Sequence, residues 1–170
     1  MASAQQLAWL KTMVAPAQLS QRQYRIPASV TLAQAILESS WGTSQLARRC
    51  NNYFGIKALP GQEYGEFPTH EVVQGRTVAE MAAFARYPSA IESFAAHARL
   101  LAEDPRYAPA MRHVDDPLAF AVAIRVCGYS TNGTYSLLLS QLIDDYKLEQ
   151  YDLPDPPQGA AGMAAAQEAA

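Results

Sequence analysis

The sequence predicts a mainly helical α+β domain with one small β excursion inserted between helices. Apolar residues recur at helical spacing through roughly the first 40 residues and again from about residue 89 onward. Between these two parts, residues 51–88 carry clustered glycines and prolines and short runs typical of strands. With 170 residues, of which 49% are hydrophobic, the chain is long enough to bury one core.

The charge balance excludes several kinds of partner. The chain has 13 Lys and Arg against 16 Asp and Glu, a net charge of -3. This balance argues against a nucleic-acid binder held by phosphate contacts and against a polybasic membrane clamp. No stretch approaches the ~18 apolar residues of a membrane span, and the N-terminus lacks the basic region of a signal peptide. We therefore expect no nucleic-acid partner and no membrane insertion.

Cofactor-binding patterns are also missing from the sequence. Cys50 and Cys127 are the only cysteines, and the three histidines are scattered without a helical metal-binding pair. There is no nucleotide-binding glycine pattern and no GxSxG elbow. We expect no metal and no cofactor. We also expect two free thiols, with one long-range disulfide as the alternative.

Helix signals place the first three elements. Apolar spacing predicts a helix over residues 3–14, and Pro16 predicts a break followed by a second helix that ends near residue 24. Ser29 is expected to be the N-cap of a third helix that reaches Ser40. Gly42 follows as a stop.

The β excursion and the remaining helices follow. Residues 71–78 predict a hairpin with its turn at 74–75. Residues 81–87 fit a helix or a strand by local pattern, and a strand is favoured because the segment leads into the next helix start. Further helices are expected to begin at Ser89, at Asp116-Pro117 and at Thr134. The folded domain is thus predicted over 1–151, with a β-lobe at about 58–88. The Pro- and Ala-rich residues 152–170 are expected to form a disordered tail.

The third helix carries one carboxylate on an otherwise apolar surface. Projection at 100° per residue places Thr31, Gln34 and Glu38 on one narrow polar strip. A helix that is apolar almost all round is normally buried, so Glu38 is expected at a wall between core and cleft. Apolar neighbours and the negative end of the helix would raise its pKa, as general acid catalysis requires.

Four motifs in order carry a resemblance to a known family. They are AQAILESSWG at 33–42, NNYFGIK at 51–57, FARYPS at 84–89 and GYSTNGTY at 128–135. Together they resemble the bacterial peptidoglycan glucosaminidases of glycoside hydrolase family 73, over roughly residues 7–148. The resemblance implies a lysozyme-like fold, in which a helical lobe and a small β-hairpin lobe flank a cleft.

The resemblance also implies an activity and its residues. It implies hydrolysis of the β-1,4 bond after N-acetylglucosamine in peptidoglycan, with Glu38 as general acid. Glu71, in the motif Thr-His-Glu, matches the second carboxylate, and Glu66 or Glu63 is an alternative base. Tyr129 matches the family's cleft tyrosine and is the third catalytic candidate. The substrate-binding candidates are Trp41, Asn52, Tyr53, Tyr64, Glu66, Thr131 and Tyr135.

Two positions depart from the family pattern. Asn132 stands where the family usually has Asp, and Val72 where it often has Tyr. Asn and Asp cap turns alike, so the first change is compatible with the same loop. The second removes an aromatic ring that would stack on a sugar.

Other functions are compatible with the same residues. A lytic transglycosylase or a muramidase would share the fold and the helix-borne Glu, whereas a catalytically silent wall-binding or scaffold module would not need its chemistry. In each case the expected partner is the glycan strand of peptidoglycan, bound by a monomer. We expect action in the periplasm or cell wall after export without a visible signal peptide, through phage lysis, a secretion system or a flagellar-type channel.

Overall fold

The structure is a computed structural model that describes residues 2–73 and 76–154, without the side chains of residues 70–73, 76 and 77. The helices are α1 (Ala4–Tyr24), α2 (Ala28–Ser39), α3 (Gln45–Cys50), α4 (Ala90–Glu103), α5 (Pro117–Val126) and α6 (Tyr135–Tyr146). The strands are β1 (Tyr64–Val73) and β2 (Arg76–Ala85), and 3₁₀ turns lie at Pro105–Tyr107, Ala110–His113 and Leu148–Tyr151. The predicted fold class, mainly helical with one small hairpin, is confirmed.

Helix α2 is the centre of the helical lobe. Every residue from Ala28 to Ile36 is buried, as predicted for a helix that is apolar almost all round. Helices α1, α5 and α6 and the 3₁₀ turn Leu148–Tyr151 pack around it. The N-terminal part of α2 is therefore fixed in the core, and solvent reaches the helix only near its C-terminal end.

Helix α1 is continuous, so the break predicted at Pro16 is wrong. Proline inside a helix removes one backbone hydrogen bond and costs roughly 3 kcal/mol. Leu10 and Met13 before the proline and Ala17 after it are all buried, and the helix packs against α2 and α4. Burying one large apolar side chain stabilises by about 1.5–3 kcal/mol, so packing on both sides of Pro16 outweighs the lost bond.

The N-terminal end of α2 also differs from the prediction. Ser29 lies inside the helix, Pro27 is the N-cap, and Pro27 makes no side-chain cap bond. The cap comes instead from Asp152, whose carboxylate accepts bonds from the Ser29 amide and hydroxyl, both at 2.7 Å. The Leu153 amide bonds Gln21 Oε1 at 3.0 Å. Asp152 and Leu153 thus pack on the helical lobe, beyond the domain boundary predicted at 151. Residues 155–170 lie outside the described residues.

The β-lobe is a two-stranded antiparallel hairpin. Its register pairs Tyr64 with Ala85 and Val73 with Arg76. The hairpin is longer than the predicted 71–78, and the strand favoured at 81–87 is confirmed for residues 81–85, which belong to β2. The turn predicted at 74–75 lies outside the described residues.

The later helix starts agree with the prediction. Ser89 is the N-cap of α4, and Asp116 caps α5 by accepting bonds from the amides of Leu118 and Ala119. Cys50 is buried, Cys127 is half-buried, and both are free thiols. Among the described residues, none of the helices combines the length and the apolar character needed to cross a membrane.

Candidate active site

A cleft of about 990 Å³ opens beside the C-terminal end of α2. Glu38 lies on one wall. Other walls come from the segment between α3 and β1, from the outer face of α4 and from the loop after α5. The side chains that carry charge or hydroxyl groups into the cleft are Glu38, Lys57, Tyr87, Arg99, Glu103, Asp104, Tyr107, Tyr129 and Ser130.

A tight turn ends α2 directly after Glu38. Ser40, Trp41 and Gly42 all have left-handed backbone angles, and the Gly42 amide donates to Ser39 Oγ at 2.7 Å. A Cβ on Gly42 would lie 2.2 Å from Nε1 of Trp9, so only glycine fits there. This turn fixes the end of the helix and thereby the position of Glu38.

Glu38 combines access to solvent with partial dehydration. Its side chain is exposed through the cleft, yet burial by protein on the other sides raises the pKa of its carboxyl. A hydrogen bond from Tyr135 acts in the opposite direction and lowers that pKa. Because the dehydration is the larger effect, the carboxyl holds its proton to higher pH than an ordinary glutamic acid does.

A chain of polar groups leads from Glu38 into the core. The Tyr135 hydroxyl contacts Glu38 and Tyr129, and it accepts a bond from Gln34 Nε2 at 3.1 Å. The Tyr129 hydroxyl contacts His97 Nε2 at 3.1 Å. Burial raises the pKa of both tyrosines well above the ordinary value, so they remain neutral phenols. Of the polar strip predicted on α2, Thr31 and Gln34 are buried and Gln34 bonds Tyr135. Only Glu38 reaches the surface.

Sequence reasoning missed His97, which it treated as one of three scattered histidines. His97 is buried, its ring stacks on Phe54 with 3.9 Å between centroids, and burial lowers its pKa to about 3. The available signal was its spacing on α4, where Ser93, Phe94 and Leu101 share the same buried face. The cleft residues Arg99, Glu103 and Asp104 were also missed, and no motif marks them.

None of the seven predicted substrate-binding residues is part of the cleft lining, and three of them pack within the helical lobe. Trp41 packs edge-on against Trp9 and Tyr146. Tyr53 is buried beside Trp9. Asn52 is buried and ties its own loop together, with Nδ2 donating to the carbonyls of residues 56 and 85 at 2.8 and 2.9 Å. The motifs that contain these three residues therefore contribute to the packing of the helical lobe behind the cleft.

The remaining predicted residues lie in three different places. Tyr129 lines the cleft and contacts Tyr135, which in turn contacts Glu38. Tyr64, Glu66 and Thr131 are exposed and lie outside the cleft lining, and Glu63 and Tyr64 border a separate groove. In the backbone register Glu71 pairs with Val78, and its side chain lies outside the described residues.

The loop before α6 tolerates Asn132 at the position where the family usually has Asp. Asn132 Oδ1 accepts bonds from the amide and the hydroxyl of Thr134, at 3.0 and 2.8 Å. An aspartate would accept the same two bonds, so the loop keeps its shape with either residue.

The glucosaminidase family model, described as mannosyl-glycoprotein endo-beta-N-acetylglucosaminidase, matches residues 14–148. The chain belongs to this family. The match begins inside α1, ends in the last 3₁₀ turn and includes Glu38, Tyr129 and Tyr135.

Relatives of this glucosaminidase domain are found among curated proteins and solved structures. Exo-glucosaminidase LytG of Bacillus subtilis is 32% identical over 89% of the chain and 55% of LytG. A probable N-acetylmuramidase of Lactococcus lactis is 36% identical over 73% of the chain and 30% of that protein. The chain thus spans about half or less of these relatives. The catalytic domain of the autolysin Auto from Listeria monocytogenes superposes with a TM-score of 0.80 at 30% identity, over 89% of this chain and 90% of that one.

The glucosaminidase domain shows no candidate metal centre within the described residues. No group of three or more His, Cys, Asp or Glu side chains lies close enough there to share an ion.

Proposed function

We propose that this domain hydrolyses the β-1,4 bond that follows N-acetylglucosamine in peptidoglycan, with Glu38 as the general acid. The observation that carries the proposal is the position of Glu38, a carboxyl with a raised pKa on the wall of a 990 Å³ cleft. The names of the relatives, a glucosaminidase, a muramidase and an autolysin, support a sugar polymer of the cell wall as the substrate.

The chemistry of Glu38 follows from its environment. A carboxyl that keeps its proton to higher pH than an ordinary glutamic acid is suited to protonate the leaving glycosidic oxygen as positive charge develops on the sugar ring. The resulting carboxylate then accepts the Tyr135 hydrogen bond. Dehydration thus favours the acid before proton transfer, and Tyr135 stabilises the anion after it.

We propose Glu71 as the second carboxylate, which directs water to the sugar. Its support is the resemblance of Thr69-His70-Glu71 to the family motif and its position on β1. Glu63 and Glu66 lie nearby and are the alternatives, but they are outside the matching motif. Comparing Glu71→Gln with Glu66→Gln tests this choice: only the first should lower kcat, by roughly 100-fold or more. Loss of kcat in Glu66→Gln alone would transfer the role.

The proposal also specifies which bond is cleaved and whether cleavage occurs inside the strand or at its end. We propose attack at internal bonds, supported by the endo-acting description of the family model, although one relative is named an exo-glucosaminidase. The second candidate is a muramidase, favoured by the name of the Lactococcus lactis relative. The two activities leave different sugars at the new reducing end.

Digestion of purified peptidoglycan, followed by borohydride reduction and mass spectrometry, tests the proposal. Wild type should release reduced N-acetylglucosamine ends and a broad range of strand lengths. Reduced N-acetylmuramic acid ends would indicate a muramidase, anhydro ends a lytic transglycosylase, and single terminal sugars exo-cleavage. Glu38→Gln should release almost none, whereas Glu149→Gln, an exposed acid in the last 3₁₀ turn, should act as wild type does. Equal activity in wild type and Glu38→Gln would contradict the role of Glu38.

The place of action follows from the substrate. Because peptidoglycan lies outside the cytoplasmic membrane, we propose that the domain acts in the periplasm or cell wall, as a monomer on glycan strands. Fractionation of the producing cells and sedimentation of the purified chain would test both statements. Retention in the cytosol, or a stable dimer, would contradict them.

A further inference from the structure

Buried side chains connect Glu38 to a histidine on another helix. His97 Nε2 lies 3.1 Å from the Tyr129 hydroxyl, Tyr129 contacts Tyr135, and Tyr135 contacts Glu38. His97 Nδ1 is buried and has no hydrogen-bond partner among the described groups. The ring is held in place by its stack on Phe54.

The protons in this chain have one consistent arrangement when Glu38 is ionised. A carboxylate only accepts, so Tyr135 donates its single proton to Glu38. Tyr135 must then accept from both Gln34 and Tyr129. Because Tyr129 has used its own proton, His97 has to donate to it from Nε2. Neutral His97 therefore carries its proton on Nε2, which leaves Nδ1 bare.

The reversed arrangement is disfavoured by the surroundings of His97. It would place the histidine proton on Nδ1, where a buried donor would have no described acceptor. It would also turn the Tyr135 proton away from Glu38, so that the acid proton of Glu38 would be directed into the chain. The orphaned Nδ1 thus selects the direction in which all hydrogen bonds run toward Glu38.

We propose that His97 is a positioning residue: as its Nε2–H tautomer it fixes the direction of the hydrogen-bond chain, so that the acid proton of Glu38 points into the cleft. The inference rests on the proposed role of Glu38 as general acid. His97 touches neither the cleft nor Glu38, and it acts through the hydroxyls of Tyr129 and Tyr135.

His97 is expected to keep this state wherever the enzyme works. Burial lowers the pKa of His97 to about 3, so the ring is neutral from about pH 5 to pH 8. The titratable groups that face the chain or line its cleft are Glu38, Tyr107, Tyr129 and Tyr135, and across the cleft Lys57, Tyr87, Arg99, Glu103 and Asp104. Of these groups, Glu38 is the carboxyl that the hydrogen-bond chain from His97 reaches, so we expect a substitution at His97 to change the pKa of Glu38.

Nitrogen-15 NMR of the histidine rings in the wild-type chain tests the tautomer without any substitution. His97 should show the neutral Nε2–H pattern throughout this pH range. A neutral Nδ1–H pattern, or a protonated ring, would overturn the inference. This measurement is independent of catalysis, so it stands whether or not the proposed hydrolysis is observed.

Two substitutions test the effect on the reaction. His97→Gln keeps an amide N–H near the position of Nε2–H, and kcat should stay within about threefold of wild type. His97→Phe keeps an aromatic ring against Phe54 but removes the donor, and kcat should fall by about tenfold with KM little changed. His113→Gln, at an exposed histidine, is the control and should be unchanged. Equal kcat values in wild type and His97→Phe would refute the role.

The pH profile separates positioning from simple loss of structure. Weakening the donors to Glu38 should raise its pKa, so the alkaline limb of kcat/KM should move to higher pH in His97→Phe and not in His97→Gln. Tyr129→Phe should give the same shift, and adding His97→Phe to it should change nothing further. An unmoved limb in His97→Phe, or additive effects, would overturn the inference. If wild type itself releases no reducing ends, it is the proposed function that fails.

Discussion

The two ends of α2 each hold a carboxyl whose pKa is raised by burial, and the two carboxyls have different partners. At the N-terminal end, Asp152 accepts bonds from the amide and the hydroxyl of Ser29. At the C-terminal end, Glu38 accepts one bond from Tyr135 and faces the cleft. Dehydration alone therefore does not identify a catalytic acid. What distinguishes Glu38 is its place on the wall of the 990 Å³ cleft, with Tyr135 as its described side-chain donor, whereas Asp152 is held by backbone and side-chain groups at the start of α2.

The largest expected effect is a separation of activity from stability between these two acids. Glu38→Gln should lower kcat by roughly 100- to 10,000-fold, the range attributed to general acid catalysis, and leave the fold intact. Asp152→Ala should change kcat by less than about threefold, because Asp152 lies outside the cleft lining. Rates on purified peptidoglycan, measured at a temperature where both variants are folded, check this. A comparable loss of kcat in both variants would remove the distinction.

The next effect concerns the stability of the N-terminal end. Asp152→Ala removes the acceptor of the Ser29 amide, and Pro27 offers no side-chain substitute. We expect the free energy of unfolding to fall by about 2 kcal/mol, the upper range for a helix cap. Denaturant titration measures it, with Asp145→Ala, at an exposed position on α6, as the control. A change below about 0.5 kcal/mol would mean that the C-terminal segment does not support α2.

A smaller effect appears in the pH dependence of stability. For both acids the folded-state pKa lies above the ordinary value, so the folded chain binds their protons more tightly than the unfolded chain does. Their contribution to stability is then fully present below the ordinary pKa and is lost as pH rises through the raised one. Relative to wild type, Glu38→Gln should therefore become more stable as pH rises from about 4 to 7.

Melting temperatures across that pH range test the sign. The deficit of Asp152→Ala should shrink over the same interval, because removing either raised carboxyl removes the same pH-dependent term. A trend of the opposite sign for Glu38→Gln would show that the bond from Tyr135 exceeds the effect of burial on its pKa.

The same comparison shows what could be predicted from the sequence. The prediction for Glu38 rests on local signals, an apolar helix with one acid near its end and the motif AQAILESSWG around it, and the structure places Glu38 on the cleft wall. Asp152 was assigned to a tail, because its partner Ser29 is 123 positions away and no local pattern connects them. His97 was missed for the same reason, since its contacts with Tyr129 and Phe54 form only in the folded core. Trp41 was expected in the cleft, but the left-handed turn directs it against Trp9.

The smallest effect is expected at Gln34, which lies on α2 between the two ends. Gln34 Nε2 donates to Tyr135, while Oε1 is buried without a partner among the described groups. In Gln34→Met one hydrogen bond is lost, but an unpaired carbonyl oxygen is removed as well, so stability should change by less than about 1 kcal/mol. Tyr135 keeps Glu38 as its acceptor, and kcat should fall only about two- to fivefold. Destabilisation by several kcal/mol would instead mean that Oε1 is satisfied by bound water, which would make Gln34 a structural anchor of the site.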